Sequence, residues 1–165
     1  VHRDLAARNV LVGDSINIIK LADFGLARCL DTALYYKTRK EVFPYRWTAP
    51  EAFVIFDIDD NIIQLGRSTS KSDVWSFAVV LWELYSMGEN PYGALKPTEL
   101  YRYLKENNIP LECPTSCPPE TIYQMMLKCW SLDPSNRPTF AEFLEFLAPP
   151  TSANRLSATG TEACD

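Results

Sequence analysis

Apolar residues crowd every side of the segment from Lys71 to Met87, where Val74, Trp75, Phe77, Ala78, Val79, Val80, Leu81, Trp82 and Leu84 leave almost no polar face. A helix that is apolar all round belongs inside a protein. The pattern therefore predicts a buried central helix, N-capped by Ser70 or Ser72 and stopped before Gly88. Helical spacing also runs through Thr98 to Asn107, Pro119 to Cys129 and Thr139 to Leu147, with Pro118-Pro119 and Arg137-Pro138 marking starts. Near the N-terminus the pattern becomes strand-like: Val10-Leu11-Val12 and Ile16 to Leu21 flank Gly13-Asp14, which predicts a hairpin with Asn9 at one edge and Asp23 at the other. Residues 28–43 are charged, carry tyrosines and lack periodicity, as a long functional loop does, and Pro44 and Pro50 bracket its exit. The Ser-, Thr- and Ala-rich residues after Pro149-Pro150 predict a disordered tail over 149–165. The expected fold class is mainly α, a helical bundle around a buried central helix with a small β-hairpin.

Composition narrows the possible roles. A chain of 165 residues has room for one domain, burying roughly two-thirds of its unfolded surface. Sixteen basic against 21 acidic residues, a net charge of -5, supply no positive field for nucleic acid, so none is expected as a partner. No apolar stretch is long enough for a transmembrane segment, and Val1 opens straight into a polar motif without a signal segment. The expected location is cytoplasmic, or the cytoplasmic face of the plasma membrane through parts of a longer parent. The five cysteines are odd in number, and Cys113-x3-Cys117 has no second pair or nearby His to complete a zinc site. Free thiols are the expectation.

Three polar groups at the N-terminal end carry the candidate chemistry: Asp4 and Asn9 in HRDLAARN, and Asp23 in the following Asp-Phe-Gly. Singly, an Asp or Asn in a turn usually serves as a local cap. Together they supply what magnesium-dependent phosphoryl transfer needs. Mg²⁺ takes oxygen ligands and keeps some of its waters, so one carboxylate and one amide oxygen beside the oxygens of ATP make suitable anchors. Asp4 then remains for the acceptor hydroxyl. A phenol with a pKa of about 10 is not deprotonated in advance by a carboxylate with a pKa near 4, so Asp4 would orient the hydroxyl and accept its proton late.

HRDLAARN and Asp-Phe-Gly resemble the signature of protein kinases, and the chain resembles the C-terminal lobe of a protein tyrosine kinase catalytic domain over residues 1–148. The resemblance implies ATP and Mg²⁺ as cofactors, Asn9 and Asp23 as metal-binding residues, and Asp4, Arg8 and Asn9 as catalytic residues. Leu11 would form the apolar floor under adenine; the other reading of Leu11 is a strand residue facing the core. Serine/threonine kinases usually carry a lysine two positions after the catalytic aspartate. Here Ala6 stands there, followed by Arg8, which is similar to tyrosine kinases, and the partner implied is a protein substrate with a tyrosine. Phe43 to Glu51 resembles the family's substrate-docking strip. Tyr35 and Tyr36 occupy the loop in which the family places its phosphorylation site, where a phosphate would pair with Arg3 and Arg28. The resemblance also implies structural support: Glu51 paired with Arg137, Asp73 holding the backbone of the His2-Arg3 turn, and His2 as a backbone-bonded core residue. Tyr35-Tyr36 and Cys129-Trp130 resemble the non-receptor Src-like and focal-adhesion-kinase-like groups.

The chain also departs from the family. It contains no glycine-rich phosphate loop, no strand lysine and no helix glutamate to pair with it, so the N-terminal lobe is expected as a missing partner and the isolated piece is expected to be inactive. The alternative is a pseudokinase or docking module that binds partners without catalysis. Between Glu51 and Lys71 the chain is longer than family members usually are. Asp57, Asp59, Asp60 and Asn61 lie in that excess but lack the glycine and distal glutamate of a calcium loop.

Overall fold

A computed structural model describes residues 1–15, 17–27, 44–53, 55–56, 62–64, 66–107, 111–114, 116 and 118–148. Tyr35, Tyr36, Arg28, Phe43 and the expected tail at 149–165 lie outside the described residues. The architecture is mainly helical. Strands β1 (Val10–Val12) and β2 (Ile19–Leu21) form an antiparallel hairpin, followed by β3 (Ile55–Phe56) and β4 (Ile62–Gln64) and then by helices α1 (Ser70–Tyr85), α2 (Pro97–Glu106), α3 (Glu120–Cys129) and α4 (Phe140–Leu147).

Helix α1 is the central element that its composition predicts. Val74, Trp75, Ala78 and Val79 are at most 1% exposed, and Leu100 and Leu104 of α2, Met125, Met126 and Cys129 of α3, Trp130 and Phe143 of α4 complete the core around them. Its start differs from expectation. Thr69 is the N-cap, and Ser72 closes the first turn by accepting the Thr69 N–H at 2.9 Å. Gly88, at φ +87°, sits in the left-handed conformation that ends a helix, and its N–H reaches back to the Glu83 carbonyl at 2.8 Å. Helices α2 and α4 open on capping glutamates: Glu99 accepts the Lys96 N–H at 2.8 Å, and Glu142 accepts the Thr139 N–H at 2.6 Å.

The hairpin pairs Val10 with Leu21, Leu11 with Lys20 and Val12 with Ile19. Its connection is longer than a two-residue Gly13-Asp14 turn. Gly13 N–H bonds to Ile18 O at 2.8 Å and Ile18 N–H to Ser15 O at 2.9 Å, so the loop has an internal turn of its own. Leu11 is 53% exposed, with Val12, Ile18, Ile19, Leu21 and Phe24 open beside it, which corrects the reading of Leu11 as core-facing. The long segment after Glu51 holds a second antiparallel ladder, β3 with β4, that the sequence pattern did not reveal. Gly66 then passes directly over the Pro50–Ala52 turn, where an added Cβ would lie 2.0 Å from the Ala52 carbonyl oxygen. Among the described cysteines, Cys113 is exposed and Cys129 buried; burial pushes the Cys129 thiol up to about 12.

Candidate active site

The site begins with a strained turn. Arg3 has φ +72°, a left-handed conformation that costs a non-glycine residue roughly 1 to 3 kcal/mol. Asp73, on the first turn of α1, offsets that cost: its carboxylate accepts the N–H of His2 at 2.7 Å and of Arg3 at 3.0 Å. His2 is buried. Its Nδ1 accepts the Asp4 N–H at 3.3 Å, and its ring lies 4.7 Å from that of Phe24. The Asp-Phe-Gly segment is thereby packed against the turn that presents Asp4.

Both oxygens of the Asp4 carboxylate have protein partners. Arg8, one helical turn along, bonds to Oδ1, while Asn9 donates its Nδ2 to Oδ2 at 3.1 Å and to the Asp4 carbonyl at 2.8 Å. Because the amide nitrogen of Asn9 is committed to Asp4, its oxygen is the atom left for a cation. Asp23 lies at the open end of the same hairpin: Ala22 N–H bonds to Asn9 O at 2.9 Å, so Asp23 follows one residue beyond the backbone of Asn9. Asp23 is exposed, has φ +59° and accepts the Gly25 N–H on Oδ1 at 3.2 Å. Asp4 and Asn9 share direct bonds, and the hairpin ladder places the Asp23 backbone one residue past the Ala22–Asn9 pairing.

Arg8 is also stacked over the Trp47 ring, 4.5 Å from its centroid. Trp47 belongs to the strip from Pro44 to Thr48, which is fastened to the helical body at several points. Ser76 Oγ donates to the Trp47 carbonyl at 2.7 Å, Tyr45 OH to the Leu95 carbonyl at 3.2 Å, and Arg46 Nη2 to the Gly93 carbonyl at 2.9 Å. Sequence reasoning missed one residue here. Glu83, near the end of α1, accepts both the Ala7 N–H at 2.9 Å and the Trp47 Nε1–H at 2.8 Å on the same carboxylate oxygen. Its one signal was a charge set among the apolar residues of the central helix.

Farther from the hairpin, Arg137 and Glu51 make a bidentate pair at 2.7 and 2.9 Å. Arg137 is 1% exposed, and it also donates Nε to the Ser131 carbonyl at 2.8 Å and Nη1 to the Lys71 carbonyl at 3.0 Å. This joins the Pro50–Ala52 turn to the base of α1 and to the segment before α4.

Residues 1–147 match the family model of protein tyrosine and serine/threonine kinases. The chain belongs to that family. It is 47% identical over 148 residues to fibroblast growth factor receptor 1 of Xenopus laevis, a match covering 89% of this chain and 17% of the relative. The kinase-like helical lobe with its hairpin, expected from the motifs, is the fold found. The non-receptor placing read from Tyr35-Tyr36 and Cys129-Trp130 gains no support, because this relative is named a receptor. Among the described residues, no helix is long and apolar enough to cross a membrane.

Proposed function

We propose that this chain is the catalytic-loop lobe of a protein tyrosine kinase whose complete form transfers the γ-phosphoryl group of ATP to tyrosine hydroxyls of protein substrates. The observation that carries this is the Asp4 cluster. A carboxylate is held by Arg8 and Asn9, and an amide oxygen and the Asp23 carboxylate are left at the open end of the adjoining hairpin. That donor set is all oxygen, which suits Mg²⁺. Asn9 and Asp23 would hold the ion, which, when bound with ATP, neutralises charge on the phosphate oxygens.

Asp4 orients the acceptor hydroxyl and takes its proton as the bond to phosphorus forms. Arg8, fixed by Asp4 and by the Trp47 face, presents a rigid guanidinium beside the incoming phenol, and Ala6 stands where serine/threonine kinases usually carry a lysine. Leu11, open on β1, supplies an apolar contact for adenine. The exposed hairpin face is covered by an N-terminal lobe carrying the phosphate-binding lysine, so the 165-residue chain by itself has no measurable activity. Phosphorylation of Tyr35 or Tyr36 would bring charge toward Arg3. The working location is the cytoplasm or the cytoplasmic face of the plasma membrane.

The test is tyrosine phosphorylation of a peptide by the full-length protein that carries this segment. Wild type should transfer phosphate, and Asp4→Asn should lower kcat by about 100-fold or more. Peptide binding without turnover in the wild type would favour the docking-module alternative instead.

A further inference from the structure

We propose that Glu83 is a positioning residue that sets the distance between Asp4 and the substrate-docking strip. The inference rests on the kinase reading above and deepens it. One oxygen of Glu83 takes two donors from parts of the chain forty residues apart in sequence, Ala7 N–H at 2.9 Å and Trp47 Nε1–H at 2.8 Å. The Ala7 bond fixes the 3-10 turn Ala7–Asn9, which carries Arg8 and Asn9 to Asp4. The Trp47 bond fixes the ring on which Arg8 rests, at 4.5 Å.

Arg8 is therefore held from two directions, by the Asp4 carboxylate and by the Trp47 face, and Glu83 ties the second support to the loop that bears the first. Glu83 is half-buried, and its helix is anchored beside it by Val79, Val80 and Trp82, which are buried. A carboxylate oxygen accepts two donors strongly, a neutral amide oxygen accepts both more weakly, and a methyl accepts neither. The strip's other anchors, Ser76 Oγ to the Trp47 carbonyl, Tyr45 OH to Leu95 and Arg46 to Gly93, attach it to α1 and to the segment between α1 and α2 and do not reach the Asp4 loop. Among the described hydrogen bonds, Glu83 is where the strip and the loop share one acceptor.

Charge and chemistry, more than bulk, should decide the effect of substitution. In the full-length protein, Glu83→Ala should lower kcat/KM for a tyrosine peptide by about 10- to 100-fold, the scale of a small misplacement of reacting groups. The KM for ATP should change less than the KM for the peptide, because Asn9 is the one residue of the Ala7–Asn9 turn assigned to the metal and its Nδ2 is held by Asp4 as well. Glu83→Gln should fall between Glu83→Ala and wild type. Trp47→Phe, which keeps a ring for Arg8 and loses the indole N–H, should resemble Glu83→Gln, and the double variant should be less than additive.

Equal losses in the peptide and ATP parameters, or a Glu83→Gln variant indistinguishable from wild type, would overturn the proposal by reducing Glu83 to packing. If wild type transfers no phosphate, the kinase reading fails and peptide binding decides this one separately. Binding weakened about fivefold by Glu83→Gln, the scale of one hydrogen bond, upholds the coupling, and unchanged binding ends it.

Discussion

Arg137 illustrates how one side chain can hold distant parts of the chain together. Its guanidinium satisfies Glu51, the Ser131 carbonyl and the Lys71 carbonyl at once, and lies over the Trp75 ring at 5.0 Å. Truncation would strand the Glu51 carboxylate, whose side chain is only 24% exposed, and leave two carbonyls without this donor. Arg137→Ala should therefore cost roughly 3 to 5 kcal/mol of unfolding free energy in urea titrations. Arg137→Lys should recover less than half of that, since an ammonium cannot reproduce the planar two-pronged contact. A melting profile unchanged by Arg137→Ala would show that the pair contributes nothing.

At the scale of elements, helix ends and close crossings decide whether the parts fit. Gly66 is needed for space, since its φ is not in the left-handed range and the obstruction is the Ala52 backbone at 2.0 Å. Gly66→Ala should destabilise by about 1 to 3 kcal/mol, as overpacking does, and should weaken the Arg67 N–H bond to Glu51 O, 2.8 Å long in the native fold. Denaturation midpoints and protection of the Arg67 amide measure both effects. The start of α4 should respond to acid. The backbone N–H of Thr139 and then its hydroxyl hold the Glu142 carboxyl below the ordinary glutamate range. A depressed carboxylate contributes stability above its unfolded pKa, and that contribution disappears as the pH falls through the folded value. Protection of the Glu142 amide, measured against its intrinsic exchange rate, should fall over that acidic interval in wild type and stay constant across it in Glu142→Gln.

These elements also show what the sequence could reveal. The all-round apolar run of α1 and the punctuated spacing of α2, α3 and α4 were legible because burial and helical period leave direct marks on residue type. The N-cap was misplaced by one residue or more, since Ser70, Ser72 and Thr69 all fit a cap and only the turn's hydrogen bonds choose between them. Strands β3 and β4 are too short to show a period. Asp4, Asn9 and Asp23 stood out because two short motifs, HRDLAARN and Asp-Phe-Gly, carry them. Glu83 was not, because its two partners are brought to it only by folding.

At the scale of the molecule, the hairpin stands apart from the packed helical body. Val12 and Ile19 face each other across the ladder and are each 62% exposed, with Leu11, Ile18, Leu21 and Phe24 between about 48 and 60%. Isolated apolar side chains on a surface are ordinary, but a two-stranded ribbon open at Val12, Ile19 and Leu21 on one side and at Leu11 on the other, with Ile18 and Phe24 flanking it, marks a surface that something covers. In the isolated 165-residue chain this face should bind anilinonaphthalene sulfonate, and the signal per molecule should fall in the full-length protein, where the proposed N-terminal lobe lies over it. Val12→Thr with Ile19→Lys should cut dye binding to the isolated chain, yet leave its melting temperature nearly unchanged, because neither side chain is part of the helical core. In the full-length protein the same pair should lower stability, since the lobe would meet a charge where it expects an apolar seat. Equal effects in the isolated chain and the full-length protein would mean that nothing docks on the hairpin, and the inactive-fragment proposal would lose its physical basis.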